Sequence, residues 1–411
     1  MYPLLSSLRI VECASFIAAP SCSLHLRQMG AQVIRIDPIG GGPDFHRWPL
    51  AEGGASLYWE GLNKGKRSVA VDFASPEGRE LVARLVCAPG EGGGLFVTNF
   101  PAEGFLSHPR LRQGRADLIT TRVMGWADGT PAVDYTVNAA VGMPYMTGPA
   151  DRPFDAVNHV LPAWDLLAGA YAAFALLAAE RHRRDTGQGQ EVRVPLSDIA
   201  IASLGHLGQI AEVGLGADRP KLGNTVFGAF GRDFATADGQ RLMVVAITPR
   251  QWSGLLVALG LADAVAAIES ALGVSFGHDE GLRFQHRALL TPLVEAAIAR
   301  RSAADLGPLF DAHGVCWGPY RTLKAALAQD PRLVSGNPVF SPVAHPSGQT
   351  YPTPGAAATL VPGERADATR APRLGEHTDQ VLAELLGLSA GQIGRLHDSG
   401  RVAGPASRPA P

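Results

Sequence analysis

The sequence has little cysteine, no excess of either charge and no long unbroken apolar run. Each scarcity removes a class of protein. The four cysteines, Cys13, Cys22, Cys87 and Cys316, lie far apart without a CxxC pair, so no zinc site or disulfide framework is expected. A reducing cytoplasm is the expected setting. Lys and Arg number 36 against 38 Asp and Glu, which lacks the basic excess of a nucleic-acid partner. The most apolar stretch, Leu166 to Glu180, contains Gly169 and runs into Arg181-His182-Arg183-Arg184. It reads as a buried helix, so no membrane association is expected. No charged start leading into an apolar run marks a secretory signal. No G-x-G-x-x-G opens a helix after the first apolar strand, which disfavours a nicotinamide dehydrogenase. No H-E-x-x-H or similar spacing offers metal ligands.

What is present is ample for a folded enzyme. The 411 residues are 46% apolar and 18% charged, with 48 Gly and 31 Pro. Two to three domains with large cores are expected, joined by many tight turns. Apolar runs at Arg9–Cys13, Gln32–Asp37, Ser68–Asp72, Leu95–Asn99 and Leu118–Met124 alternate with the helical stretches Pro20–Met29 and Pro76–Cys87. That alternation predicts a right-handed parallel α/β sheet. A long helix over Ala163–Arg184, a strand at Glu191–Pro195 and a helix at Ser197–Val213 follow. Residues 214–235 read as irregular, and Arg241–Ala246 with helices near 250–310 as a smaller α+β unit. Residues 330–372 read as a long returning connection, Gln380–Leu386 and Ala390–Leu396 as short helices, and 403–411 as a disordered tail.

Several groups could carry chemistry. Asp165 follows Pro162-Ala163-Trp164 at a helix start. The helix dipole there favours a carboxylate, whether as a structural acid or a nucleophile, and Gly169 one turn on would leave the adjacent backbone open to a ligand. Asn63-Lys64-Gly65-Lys66-Arg67-Ser68 puts three cations before a strand, fit either for phosphates or for a solvated edge. Gly40-Gly41-Gly42 follows a strand, either as an ordinary turn or as a pocket wall. Asp134 lies in a polar loop, and Asn158-His159 precedes the Asp165 helix.

These pieces together resemble the family III CoA-transferases. The matching residues run in family order: Leu8–Glu12 with Ala19-Pro20, Met29–Asp37, Asn63–Ser68, Thr98-Asn99-Phe100, Asp165, Thr186–Val192, Gly223-Asn224 and Leu374–Thr378. The resemblance implies a large Rossmann-like α/β domain, residues 1–200 and 330–411, and a small α+β domain, 225–325, in an interlocked homodimer. It implies an acyl-CoA substrate, no further cofactor, Asp165 as nucleophile, and Lys64, Lys66, Arg67, Asn99 and Phe100 as CoA contacts. The racemase branch needs a His beside its Asp; Val133 stands there, before Asp134, which argues against racemisation. The glycine lid of the oxalate-type transferases is replaced by Ile247-Thr248-Pro249-Arg250 before Gln251-Trp252. Two arginines that hold CoA in formyl-CoA transferase align with Pro38 and Ser107. The stretches around Arg47, Asn158-His159 and Gly228–Phe234 resemble a branch that moves CoA between the C1 and C4 carboxyls of one mesaconate. Arg47, Asp134, His159 and Arg232 are the expected substrate contacts. The alternative is intermolecular transfer from a donor such as succinyl-CoA.

Overall fold

A computed structural model describes residues 1–405. The chain folds as two units. The first comprises Met1–Val141, His159–Gly216 and the chain from Pro331 onward; the second comprises Gly142–Asn158 and Ala217–Asp330.

The first unit is built on strands β1 (Arg9–Cys13), β2 (Gln32–Pro38), β3 (Arg67–Val71), β4 (Leu95–Thr98), β5 (Ile119–Met124) and β6 (Glu191–Pro195). They lie side by side in the order β3-β2-β1-β4-β5-β6, all parallel. The chain reverses its direction of winding between β1 and β4. In such sheets the crevice beyond the carboxyl ends of the strands at that point is the natural ligand site.

Helices α1 (Ala18–Gln28), α2 (Leu57–Leu62), α3 (Pro76–Val86), α4 (His108–Gly114) and α5 (Asp134–Ala140) follow successive strands. One sheet face buries Val11, Ile34, Ile36, Val69, Val71 and Phe96 against Leu81, Val82 and Leu85 of α3 and Val381 and Leu382 of a C-terminal helix. The residues of β2 that alternate with Ile34 and Ile36 include Arg35 and Asp37, which are also buried. A strand whose two faces are both buried must satisfy its charges internally, and Arg35 does so. Its guanidinium reaches Glu12 at 3.2 Å, Asp37 at 2.8 Å, Asp44 at 3.1 Å and Asn63 at 3.1 Å.

Three expectations change in this unit. The 330–372 segment is no plain connection: β10 (Phe340–Ala344) and β11 (Thr350–Pro354) pair antiparallel. Glu60 anchors their turn by accepting from Ser347 N at 2.8 Å and Tyr351 Oη at 2.9 Å. The proposed tail starts too early, because β12 (Val402–Ala403) pairs antiparallel with β3; residues 406–411 lie outside the described residues. The helix foreseen at Ser197–Val213 is α8 (Leu196–His206) and α9 (Gln209–Gly214), divided where Gly208 takes a φ of 78°.

The second unit holds an antiparallel sheet of β7 (Phe230–Ala235), β8 (Arg241–Ala246) and β9 (Cys316–Pro319) in that order, backed by helices. Strand β7 falls in the stretch expected to be irregular. Gly231 within it and Gly228 before it hide a register set by β8, in which Phe230 and Phe234 are buried. Residues 142–158 belong here, not in the large domain. Gly223 N donates to Gly148 O at 3.1 Å, and Lys221 Nζ donates to Arg152 O at 3.1 Å and also to Asp155 O.

Helix α7 (Ala163–Thr186) corrects the expectation of a wholly buried helix. At 24 residues it is long and apolar enough to cross a membrane by length and composition. Here one face packs on the first unit through Ala168, Gly169, Ala172, Leu176 and Ala179, while Leu167, Tyr171 and Phe174 are exposed. Gly169 is not a ligand opening. A Cβ there would stand 1.9 Å from Ser21 Oγ and 2.7 Å from Ala18 O, so glycine is what lets α1 and α7 touch. Gly169→Ala should therefore destabilise the protein by about 1–3 kcal/mol. Adding Ser21→Ala should recover only part of this, because the Ala18 carbonyl remains. Denaturant unfolding of the two variants measures both steps.

Candidate active site

The carboxyl ends of β1, β4, β5 and β6 open into a cleft of about 800 Å³. Its wall includes Ser15–Ala18 after β1, Asn99–Glu103 after β4, Val123–Gly125 at the end of β5, and Arg47, Tyr58, Asp134 and Asp165. All are residues of the first unit.

Asp165 occupies the first turn of α7. Pro162 precedes that helix and supplies no side-chain cap. Asp134, the first residue of α5, supplies it from elsewhere in the chain. Its Oδ2 accepts from Trp164 N at 2.7 Å and Asp165 N at 3.0 Å. Its Oδ1 meets His159 Nε2 at 2.5 Å. Trp164 is fixed too, its indole N–H donating to Asn138 Oδ1 at 3.0 Å. Burial pushes the Asp165 carboxyl up to about 7; the charge of Asp134 adds to the rise and Arg47 opposes it. A carboxylate tuned in this way is a competent nucleophile near neutral pH.

Arg47 stands over the rings of Phe16 and Tyr58, each 5.4 Å from its guanidinium carbon. Phe16 is the one non-glycine residue with positive φ, 68°, among the described residues. Its N–H donates to Asp44 Oδ2 at 3.2 Å. The side chain of Asn99 clasps Ser15, accepting from its N–H and donating to its carbonyl. The Tyr58 hydroxyl is buried and finds no hydrogen-bond partner among the described residues.

The sequence-predicted residues divide sharply. Asp165, Arg47, Asn99 and Phe100 line the cleft. Asp134 lines it as well, but not as a substrate contact, since both its oxygens are engaged by the protein. His159 sits behind it on Asp134, with its ring edge-on to Tyr135. The histidine that meets Asp134 thus comes from 25 residues further along the chain and does not line the cleft. Arg232 is on β7 of the second unit, its Nε donating to Asp233 O and its guanidinium over Phe234.

The lysine-rich motif is a correction. Residues 64–67 lead into the amino end of β3, while the cleft lies at the carboxyl ends of the parallel strands. Lys66 is buried and donates to Glu12 at 2.7 Å and Pro20 O at 2.9 Å. Arg67 pairs with Glu384 at 2.7 Å. Lys64 is buried, which lowers it to about 8. None of the three lines the cleft, and neither does the Gly40–Gly42 turn. The cations in the cleft wall are Arg47, Arg122 and Arg193. Arg122 is held by Glu191 at 2.8 Å. Sequence reasoning missed Tyr58 on α2, Phe16 just after β1, and Arg122 and Arg193 on β5 and β6, because no local motif marks any of them.

The parallel sheet, the crevice at its winding reversal and a largely enclosed carboxylate in that crevice suit an enzyme that forms a covalent intermediate on a side-chain carboxyl. The chain matches CoA-transferase family III over residues 5–378 and belongs to it. It is 51% identical over 407 residues to a 2-methylfumaryl-CoA isomerase from Chloroflexus aurantiacus, covering 98% of this chain and 99% of that one. It is 28% identical over 410 residues to a succinyl-CoA–D-citramalate CoA-transferase of the same organism, covering 95% of this chain and 96% of that one. The fold is shared with a CaiB/BaiF family protein from Brucella suis, with a TM-score of 0.76 at 24% identity and coverage of 94% and 100%.

If the lysine motif is structural, Lys66→Met should lower stability by about 3 kcal/mol, because Glu12 loses a buried partner. The KM for acyl-CoA should stay unchanged. Unfolding curves and steady-state kinetics on the same preparation test both.

Proposed function

We propose that this enzyme moves CoA between the C1 and C4 carboxyls of one mesaconate, interconverting the two 2-methylfumaryl-CoA thioesters. The observation that carries the reading is the 51% identity to the 2-methylfumaryl-CoA isomerase along essentially the full length of both chains. In this reading the Asp165 carboxylate attacks the C1 thioester carbonyl. The CoA thiolate leaves, and a mixed anhydride joins Asp165 to C1. The thiolate attacks the aspartyl carbonyl, giving an aspartyl-CoA thioester and a free C1 carboxylate. The C4 carboxylate then attacks that thioester, forming the second anhydride and releasing the thiolate again. Attack of the thiolate on C4 yields the product and restores Asp165. No resident cofactor is called for, because CoA enters and leaves with the substrate.

Two carboxylates of one bound molecule replace each other with an effective molarity that reaches about 10⁵ M or more. Arg47 is our assignment for the clamp on the carboxylate not joined to CoA: it lines the cleft and acts electrostatically on Asp165. Arg193, half-exposed in the same wall, is our assignment for a CoA phosphate. Exposed Leu167, Tyr171 and Phe174 on α7, with Ile201, Ile210 and Val213 on α8 and α9, support a second copy of the chain as partner, hence a homodimer. Buried free Cys13 and Cys22 support a reducing, cytoplasmic setting.

The deciding experiment supplies mesaconyl-C1-CoA with isotope-labelled free mesaconate. Formation of the C4 thioester without label in the product is expected; label in the product would mean intermolecular transfer. Asp165→Ala should lose several orders of magnitude in rate while staying folded, and hydroxylamine added with substrate should convert Asp165 of the native enzyme to its hydroxamate, releasing CoA from the aspartyl thioester.

Arg47→Ala should reduce kcat/KM for mesaconyl-CoA at least about a hundredfold, with free CoA still inhibiting at its original concentration, because only the acyl end loses a partner. Equal weakening of both would place Arg47 on the nucleotide.

A further inference from the structure

The sequence offers no histidine next to Asp134, yet the fold brings one to it. His159 Nε2 meets Asp134 Oδ1 at 2.5 Å, and the other oxygen of Asp134 caps the helix that carries Asp165. The imidazole, the Asp134 carboxylate and the backbone N–H of Asp165 form one chain of contacts from a partly exposed ring to the residue that bears the nucleophile. The His159 side chain is 24% exposed and that of Asp134 only 1%. Asp134 has spent every accepting direction described: two backbone N–H groups on one oxygen and the imidazole on the other.

We propose that His159 is a positioning residue for the CoA-transfer nucleophile. Its hydrogen bond holds Asp134 as the cap of α7 and withdraws negative charge from it, and this sets both the orientation and the charge state of Asp165. The inference rests on Asp165 being the nucleophile and not on which acyl group is transferred.

The electrostatics follow from the groups around Asp165. Asp134 faces it from α5, Arg47 from the loop after β2, and Tyr58 from α2. His159 is bonded to Asp134, and its ring also faces Tyr135 and Trp164. Asp134 raises the Asp165 carboxyl and Arg47 lowers it. A hydrogen-bond donor on Asp134 draws its charge away from Asp165, so His159 acts on the nucleophile in the same direction as Arg47.

The rival account is that His159 merely fills space between Tyr135 and Trp164. Two substitutions separate the accounts. His159→Phe keeps an aromatic ring but removes the donor. Asp134→Asn keeps an acceptor for the helix N–H groups but removes the charge. With His159→Phe, Asp134 keeps its full charge beside Asp165, so the Asp165 carboxyl should titrate higher than in the native protein. With Asp134→Asn the charge is gone, and Asp165 should titrate lower. Each shift should be about half a pH unit or more. His159→Gln, whose amide N–H can still donate to Asp134, should fall closer to the native value than His159→Phe does.

The primary readout is the carboxyl resonance of Asp165 in ¹³C-aspartate-labelled protein, assigned by its loss in Asp165→Asn and followed through pH without substrate. The second is the pH dependence of mesaconyl-CoA turnover. His159→Phe should reduce kcat at least about tenfold with little change in KM, because His159 does not line the cleft. Its acid limb should move up and that of Asp134→Asn down. Opposite shifts in the resonance support the inference even if mesaconyl-CoA is not the natural substrate. If both variants titrate as the native protein does, or both move in the same direction, the inference is overturned. A failure of native enzyme to turn over mesaconyl-CoA overturns the functional reading alone.

Discussion

The buried guanidinium of Arg35 is the constraint around which the first unit is organised. It is fully enclosed and engages Glu12 on the neighbouring strand, Asp37 on its own, and Asp44 and Asn63 from the following segment. Glu12 takes Lys66 as well. Two cations and three carboxylates inside one layer are expensive to desolvate, and their mutual attraction largely offsets that cost without a large net gain. What the cluster supplies is geometry. Asp44, fixed by Arg35, accepts the N–H of Phe16, and this contact holds Phe16 at its positive φ. A left-handed phenylalanine costs about 1–3 kcal/mol, and it stands in the cleft wall under Arg47. The core network therefore reaches the site in two contacts.

This explains why the fold was more legible than the site. The strands β1 to β6 announce themselves by short apolar runs separated by helix-length segments, and that alternation implies parallel strands joined by right-handed crossovers. Asp165 was visible because a helix start and a family pattern coincide on it. The Asn63–Ser68 motif misled because three cations in four residues look like a phosphate grip. Nothing local reveals that Lys66 points inward to Glu12, which lies 54 positions earlier. The His159–Asp134 pair was illegible for the same reason. A histidine was sought beside the aspartate in sequence, where Val133 stands, but the fold closes the pair across 25 residues. Strand β7 was missed because the glycines leading up to it signal a loop, whereas its pairing with β8 is set by residues outside any short window.

The placement of Asp165 sets two opposing influences against each other. A helix N-terminus favours an ionised carboxylate, yet here the first turn is already capped by another carboxylate, Asp134. The N–H of Asp165 itself goes to Asp134. The stabilising groups of the helix end are thus directed to the cap, and the Asp165 carboxyl is left largely enclosed in the cleft wall. Burial then dominates, which is why the carboxyl rises instead of falling.

That rise has chemical value. A carboxylate of ordinary acidity is a weak nucleophile and a good leaving group, so an anhydride on it would collapse back readily. Raising its proton affinity makes the anion a stronger nucleophile while leaving an appreciable fraction ionised near neutral pH. In an exchange between two carboxyls of one substrate, every step has a carboxylate or a thiolate as both attacker and leaving group. The reaction proceeds in either direction only if Asp165 neither outcompetes the substrate carboxylates nor yields to them entirely. Burial and Asp134 push its basicity up, and Arg47 restrains it. In the proposed mechanism, the position of Asp165 between those three influences gives one fixed side chain the means to accept the acyl group, the CoA and then the acyl group again.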